Sequence, residues 1–284
     1  MRGMTLIMEL HDKFCRLKAD IKEMKSIAVA FSGGTDSTLL LKVAHDILND
    51  NAIAITVQSS VLSERELSGA VGIADKLGIK HVIIELNEMD IEGFSDNPVN
   101  RCYICKKEVF TRIIQVARQQ GIAYVVDGSN VDDLSDYRPG MLALQELGVK
   151  SPLRGAGMTK SDIRVLSKEI GLPTWDKPAF ACLASRFPYG ERITKEKLER
   201  VDRGEQYLLD IGFRQVRVRY HGDIARIEVS ENERSRFYDE KMMDMVYNEF
   251  KKFGFKYTAL DLKGYRTGSM NEELLQKKGG VIDK

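Results

Sequence analysis

Ile27-Ala28-Val29-Ala30-Phe31-Ser32-Gly33-Gly34-Thr35-Asp36-Ser37-Thr38-Leu39-Leu40 runs from an unbroken apolar segment through a glycine turn into a second apolar pattern. The five residues Ile27 to Phe31 suit a strand buried on both faces. Leu39, Leu40, Val43, Ala44 and Ile47 then recur at helical spacing. Between them, two glycines let backbone N–H groups approach a ligand closely. The helix start adds unsatisfied donors and the positive end of a dipole, which together favour an anion. Ser32, Ser37 and Thr38 add hydroxyl donors. The loop has no lysine, so it is not the phosphate loop of nucleotidases that lose the γ-phosphate. Asp36 would repel a phosphate unless Mg²⁺ bridges the two. The plainer alternative is a Gly-Gly turn capped by Asp and Ser, a common helix start.

Working outward, residues 7–24 read as an amphipathic helix with Met8, Leu10, Phe14, Leu17 and Ile21 on its apolar side. Cys15 is assigned to that side as a core residue. Ala52 to Val57, His81 to Leu86 and Ala123 to Asp127 read as strands. Residues 63–78 and Cys105 to Gln120 read as helices ended by Gly78 and Gly121. This alternation predicts an α/β fold with a parallel sheet covered on both faces. Ligands of such sheets bind beyond the carboxyl ends of the strands. The loops after Phe31, Val57 and Asp127 are therefore expected to share a cleft. Gln58, Ser59, Asp127, Gly128, Ser129 and Asn130 are assigned to nucleotide binding on that ground. Ordinary helix capping by Ser129 or Asn130 is the competing reading. Asp132, Asp133 and Asp136 either solubilise a loop or help hold Mg²⁺.

The pattern changes after about residue 175. Residues 195–211 read as a helix, and Gln215 to Tyr220 and Ile224 to Val229 as a hairpin around His221-Gly222-Asp223. Glu233 to Phe253 reads as one helix and Tyr257 to Leu262 as a last strand, with a polar tail from Thr267. Residues 1–175 are thus expected to form the α/β domain, and 176–284 a junction and a smaller C-terminal α+β domain. Pro173 to Tyr189, with three prolines and the sole Trp, is the expected junction.

The chain of 284 residues is 43% hydrophobic and 30% charged, enough to fill a core without staples. Its formal net charge of +1 makes no global case for nucleic acid or a membrane surface. No apolar run is long enough to span a bilayer, and the first dozen residues lack an apolar stretch of signal-peptide length. The expectation is a cytoplasmic protein. Four cysteines in such a chain argue against a disulfide framework and leave metal, redox or nucleophile roles open.

Ser32-Gly33-Gly34-Thr35-Asp36-Ser37 after a buried strand resembles the PP-loop of N-type ATP pyrophosphatases, the superfamily of GMP synthetase, NAD synthetase, asparagine synthetase and tRNA thiolases. That resemblance implies attack on the α-phosphate of ATP, release of pyrophosphate and an adenylated intermediate. Three further blocks resemble the LarE family. They are Arg101-Cys102-Tyr103-Ile104-Cys105-Lys106, then Asp127-Gly128-Ser129-Asn130-Val131-Asp132-Asp133 with Asp136-Tyr137-Arg138-Pro139-Gly140, and Cys182-Leu183-Ala184-Ser185-Arg186-Phe187-Pro188-Tyr189-Gly190. The resemblance implies an ATP-dependent sulfur transferase that adenylates a carboxylate of a pyridinium dicarboxylate mononucleotide. Sulfur then replaces AMP, giving a thiocarboxylate for a nickel-pincer (lactate racemase) cofactor. It also implies a homo-oligomer. The rival enzyme is a tRNA thiolase using the same loop; it would want an RNA-binding surface, which this charge balance does not obviously supply. A regulator that keeps the fold without the chemistry is the non-enzymatic rival.

The cysteines bear on the sulfur source. Cys182 lies beside Arg186, and an adjacent cation favours the reactive thiolate. In the family the matching cysteine attacks the acyl-adenylate, and in some members its own sulfur is eliminated to leave dehydroalanine. Cys102 and Cys105 form a C-x-x-C at the start of a helix, a spacing that lets two thiolates face one metal. With Cys182 they make three ligands, which would leave one iron of a [4Fe–4S] cluster open to carry sulfide. Structural zinc, a redox pair, inert thiols and a sacrificial Cys182 remain alternatives.

Arg217 and Arg219 alternate on a strand and so share a face that suits a phosphate. The resemblance adds Ser185 and Arg186 to that substrate-phosphate pocket. Glu228 on the partner strand is a candidate to balance Arg217 or Arg219 or to bind a metal; the bland reading of all these charges is a solvated strand face.

Overall fold

A computed structural model describes residues 2–135, 139–178 and 181–266 and divides into two compact units, Met1–Ile91 with Asn100–Phe180, and Glu92–Val99 with Ala181–Lys284. In the first unit α1 (Arg2–Met24) leads into β1 (Ile27–Ala30), α2 (Thr35–Leu48), β2 (Ala52–Ser59), α3 (Glu64–Leu77) and β3 (His81–Leu86). The chain returns with α4 (Arg101–Gln119), β4 (Tyr124–Val126), α5 (Gly140–Glu146), α6 (Pro152–Gly155) and α7 (Lys160–Glu169). The four strands are parallel in the order β3-β2-β1-β4, with Ile27 level with Ala52 on one side and Tyr124 on the other.

β1 is central, and its alternation fills two cores. Ile27, Val29 and Phe31 pack with Leu17, Ile21, Leu39, Leu40, Ala70 and Ile163 on one face. Ala28 packs with Ile53, Ile55, Phe110, Ile113 and Leu144 on the other. Ser63 caps α3 by accepting from the Glu66 amide, and Gly78 closes it in the left-handed conformation at φ +66°. Thr159 and Asp162 form a reciprocal capping box on α7.

The sequence pattern misplaces two residues of α1. Met8 is 64% exposed, and Cys15 is exposed beside His11 rather than part of the core. Cys15 lies two residues before the fully buried Leu17, a little more than half a helical turn away, so it points off the packed face. The helices α5, α6 and α7 were not legible.

The second unit holds α8 (Lys195–Asp210), β5 (Val216–His221), β6 (Ile224–Val229), α9 (Glu240–Lys252) and β7 (Tyr257–Leu260). β5 and β6 form the expected antiparallel hairpin, and β7 runs parallel to β6. Val201 and Leu208 of α8, Val218, Val246, Phe250 and Phe255 are buried in this unit. The helix expected over Glu233 to Phe253 is broken. A 3₁₀ segment, Glu231–Tyr238, precedes α9, and Asp239 between them is extended and caps the Lys241 amide. A short polar residue that can cap offers the backbone an alternative to continuing the helix. Asn97, at φ 52°, donates to Pro188 O at 2.6 Å and fastens the 92–99 excursion to the segment after the 3₁₀ turn at Leu183–Arg186. Asp136, Tyr137 and Arg138, residues 179–180 and the tail from Thr267 lie outside the described residues. Among the described residues no helix is long and apolar enough to cross a membrane.

One polar contact ties β3 to the end of β1. The Thr56 hydroxyl donates to Phe31 O at 2.6 Å, so it must accept from His81 Nε2–H at 2.7 Å. Burial lowers the His81 pKa below its ordinary value, weakly opposed by Asp75. The unfolded chain then takes up this proton first as pH falls, so folding stability declines as pH drops through the ordinary histidine range. Urea unfolding midpoints are expected to fall between about pH 7.5 and about pH 5.5, and His81→Gln to flatten that part of the slope. Equal slopes for both proteins would show that His81 contributes nothing.

Candidate active site

The glycine turn sits where the pattern placed it, between β1 and α2. Gly33 takes φ +65°, and a Cβ there would lie 2.9 Å from the Ala70 Cα on α3. Both the torsion and the space require glycine. The Ser32 and Ser37 hydroxyls are 3.2 Å apart across the loop, and the Gly34 amide donates to Ser32 Oγ at 3.3 Å. Gly34 is the N-cap of α2 and no side chain caps the helix, so the first-turn amides remain donors for an anion. The Thr38 hydroxyl in that turn is buried without a hydrogen-bond partner among the described residues.

β4 delivers the second segment. Gly128 approaches so closely that a Cβ would lie 3.1 Å from the Ser37 amide nitrogen. Asn130 Nδ2 donates to Asp36 Oδ2 at 3.1 Å, and its own amide donates to Asp133 Oδ2 at 3.0 Å. Ser129 Oγ and Ser151 Oγ both donate to the buried Asp127. The structure thus brings Asp36, Asp127, Gly128, Ser129, Asn130 and Asp133 to the phosphate loop. Gln58 and Ser59 lie at the carboxyl end of the neighbouring β2, Gln58 exposed and Ser59 half-buried.

Burial pushes the Asp36 carboxyl above its usual range, and the Asp133 charge pushes the same way. A divalent cation would reverse both effects. Asp36 and Asp133 therefore fit Mg²⁺, which takes one or two carboxylates and completes its octahedron with phosphate oxygens and water. When bound, the ion would neutralise charge on the triphosphate. Cys102 and Cys105 are half-buried on the first turn of α4 in the first unit, and Cys182 is an exposed residue of the second. Among the described residues no three His, Cys, Asp or Glu side chains are gathered to hold a metal ion.

A segment missed in the sequence also reaches the loop. Thr35 Oγ1 donates to Thr174 O at 2.7 Å, and the Lys177 ammonium donates to Gly33 O at 2.9 Å. Arg164 of α7 holds this strap by donating to Trp175 O at 2.9 Å and Lys177 O at 2.8 Å. No periodicity marks such a residue.

In the second unit Cys182 immediately precedes the 3₁₀ turn. Arg186 is buried, and its Nη1 donates to Ala181 O at 2.7 Å, Cys182 O at 3.0 Å and Ser185 Oγ at 2.8 Å. Its Nε and Nη2 bind both oxygens of Glu205 on α8, each at 2.7 Å. Glu205 also accepts from the Val218 amide at 2.9 Å. Burial pushes the Glu205 carboxyl up, but the Arg186 charge and hydrogen bonds outweigh it and hold the group below its usual range.

Arg217 and Arg219 are buried rather than on a solvated face. Arg219 forms a bidentate pair with Glu228 at 3.0 and 2.8 Å and donates to Ser185 O at 2.8 Å. Glu228 also meets Arg226 at 3.2 Å, so both cations are its partners. Arg217 donates to Val216 O and stacks on Tyr265. Its pKa is lowered, first by burial and next by the Arg186 charge, with Glu205 opposing. Arg217 and Arg186 are thus buried within reach of each other's charge.

A family model described as NAD synthase matches residues 7–117, the stretch that holds the phosphate loop. A strand–glycine turn–helix without a lysine, set beside paired carboxylates, is the site of a PP-loop ATP-using enzyme. An uncharacterized Synechocystis protein is 45% identical over 93% of this chain and 99% of its own length. The pyridinium-3,5-bisthiocarboxylic acid mononucleotide synthase of Lactiplantibacillus plantarum is 39% identical over 93% of this chain and 96% of its own length. An uncharacterized protein of Methanocaldococcus jannaschii is 31% identical over 90% and 98%. The chain belongs to the LarE family of ATP-dependent sulfur transferases.

Gly33→Ala is expected to cost about 1–3 kcal/mol from backbone strain alone and to abolish ATP binding. Denaturant unfolding and calorimetry check both, and a variant matching the parent would mean that α3 yields to the loop. Glu205→Gln leaves Arg186 charged and buried, and should lose about 3–5 kcal/mol of stability. Unchanged denaturation would show the pair to be replaceable.

Proposed function

We propose that this chain thiolates a carboxylate of a pyridinium dicarboxylate mononucleotide in two stages. In the first, a substrate carboxylate oxygen attacks the ATP α-phosphorus, the bond to the β-phosphate oxygen breaks, and pyrophosphate leaves. The Ser32–Ser37 loop and the open amides of α2 bind the phosphates, with Asp36 and Asp133 holding Mg²⁺. In the second, the Cys182 thiolate attacks the acyl carbon and AMP leaves, giving a thioester. Scission of the Cys182 Cβ–S bond, with loss of the Cα proton, then releases a thiocarboxylate and leaves dehydroalanine. The reading extends to the substrate phosphate, for which Ser185, Arg186, Arg217 and Arg219 form the candidate pocket, and to a homo-oligomeric assembly.

The observation that carries the proposal is the exposed Cys182, whose flanking carbonyls are pinned by a buried Arg186–Glu205 pair. A pinned backbone fixes where a nucleophile can reach. The burial of Arg217 beside the Arg186 charge supports the phosphate pocket, since an anion would relieve that repulsion.

The test supplies the protein with ATP, Mg²⁺ and the dicarboxylate mononucleotide, then measures pyrophosphate and product mass. Thiocarboxylate should form, and Cys182→Ala should release pyrophosphate without it. Intact mass identifies the sulfur source. Loss of the elements of H₂S from the protein marks Cys182 as the reagent. An unchanged mass with repeated turnover, in anaerobically reconstituted protein that carries iron and sulfide, would replace that step by the three-cysteine cluster. Full thiolation by Cys182→Ala would refute any role for this thiol.

A further inference from the structure

The phosphate loop contains a carboxylate and no cation, although the leaving group it must release is a polyanion. The structure supplies a cation from elsewhere in the chain. We propose that Lys177 is a phosphate ligand of this site, binding the β,γ end of ATP and stabilising pyrophosphate as it departs. The inference rests on the reading of the loop as an ATP site.

Three observations carry it. The Lys177 ammonium already sits at the loop, 2.9 Å from Gly33 O. An ammonium has three N–H donors, so a carbonyl that takes one leaves two for phosphate oxygens. Second, the backbone beneath it is fixed from several sides. Thr35 Oγ1 binds Thr174 O, the Lys177 amide closes a turn on Thr174 O at 3.1 Å, and Arg164 holds the carbonyls of Trp175 and Lys177. A solvent-facing lysine needs no such bracing. Third, burial lowers the Lys177 pKa, Glu66 opposes and Arg65 adds to the lowering. A bound polyanion would remove that penalty.

The chemistry balances without a proton transfer. As the bond between the α-phosphorus and the bridging oxygen breaks, its electron pair stays on that oxygen. The ammonium remains protonated and meets the charge that develops on pyrophosphate. AMP lacks the β- and γ-phosphates and should be indifferent to Lys177.

The experiment uses the full-length protein and calorimetry with Mg²⁺–ATP, Mg²⁺–pyrophosphate and AMP. Lys177→Gln is expected to weaken ATP and pyrophosphate binding about ten- to a hundredfold, the range for a charge-assisted hydrogen bond. AMP affinity should change by less than about threefold, and Lys177→Arg should recover part of the loss. Equal losses for AMP and pyrophosphate would make Lys177 a pin for the strap and overturn the proposal. Unchanged binding of all three would overturn it as well. Failure of the wild-type protein to bind ATP or pyrophosphate would instead refute the reading of the loop, whatever Lys177 does.

Discussion

The contact between Gly33 and Ala70 sets the geometry of the nucleotide end of the molecule. Gly33 can adopt its left-handed torsion only without a side chain, and α3 presses in as far as that absence allows. The turn is therefore shallow, and α2 begins directly behind it. Ser32 and Ser37 close across the turn, Gly128 backs onto the Ser37 amide, and Thr35 and Gly33 receive the 174–177 strap. Apart from Lys177, each neighbour uses a backbone group or a short side chain.

The second unit follows a different economy of interactions. Its buried charges stand where apolar residues would give more stability, since ion pairs in low dielectric lose most of their attraction to desolvation. What they provide is position. Arg186 reads the carbonyls on either side of Cys182 and the hydroxyl of Ser185, and Glu205 fixes the plane of that guanidinium with two bonds. Glu205 in turn accepts from β5, so the cysteine turn, α8 and the hairpin share one hydrogen-bonded unit. Arg219 joins the same unit through Ser185 O and Glu228. Exposure is divided accordingly: the thiol-bearing residue faces solvent while its supports are buried, which suits a group that must be reached and yet not wander.

Much of the first unit was legible because its physics is local. The run at Ile27 to Phe31, the Gly-Gly turn and the closure of α3 at Gly78 each follow from a few neighbouring residues. The hairpin at Gly222 was equally plain, with that glycine at φ +63°. The failures share a different character. Cys15 seemed apolar by company, but its angular offset from Leu17 decides its exposure. Asp239 stops a helix by capping the next one, which composition alone does not reveal. The pairings of Arg186 with Glu205 and Arg219 with Glu228 span a turn, a helix and a hairpin, and no spacing rule links them. Lys177 was invisible for the same reason, as one charged residue in a proline-bearing junction.

The split between local and distant information parallels a split in chemistry. The NAD synthase model ends at residue 117, within α4, whereas the family relatives run on over nearly the whole chain. The shared part holds the turn that receives phosphate. What lies beyond it supplies Gly128 and Asn130 to complete that turn, the strap that brings Lys177 to it, and the cysteine turn with its guanidiniums. Adenylation needs an anion cradle and a leaving-group site, and many acceptors can use them. The acceptor and the incoming nucleophile must instead be chosen by groups placed after the cradle is built. In the proposed reaction the long-range ion pairs of the second unit support the groups that would meet the acceptor, and they are the contacts that local sequence pattern reveals least.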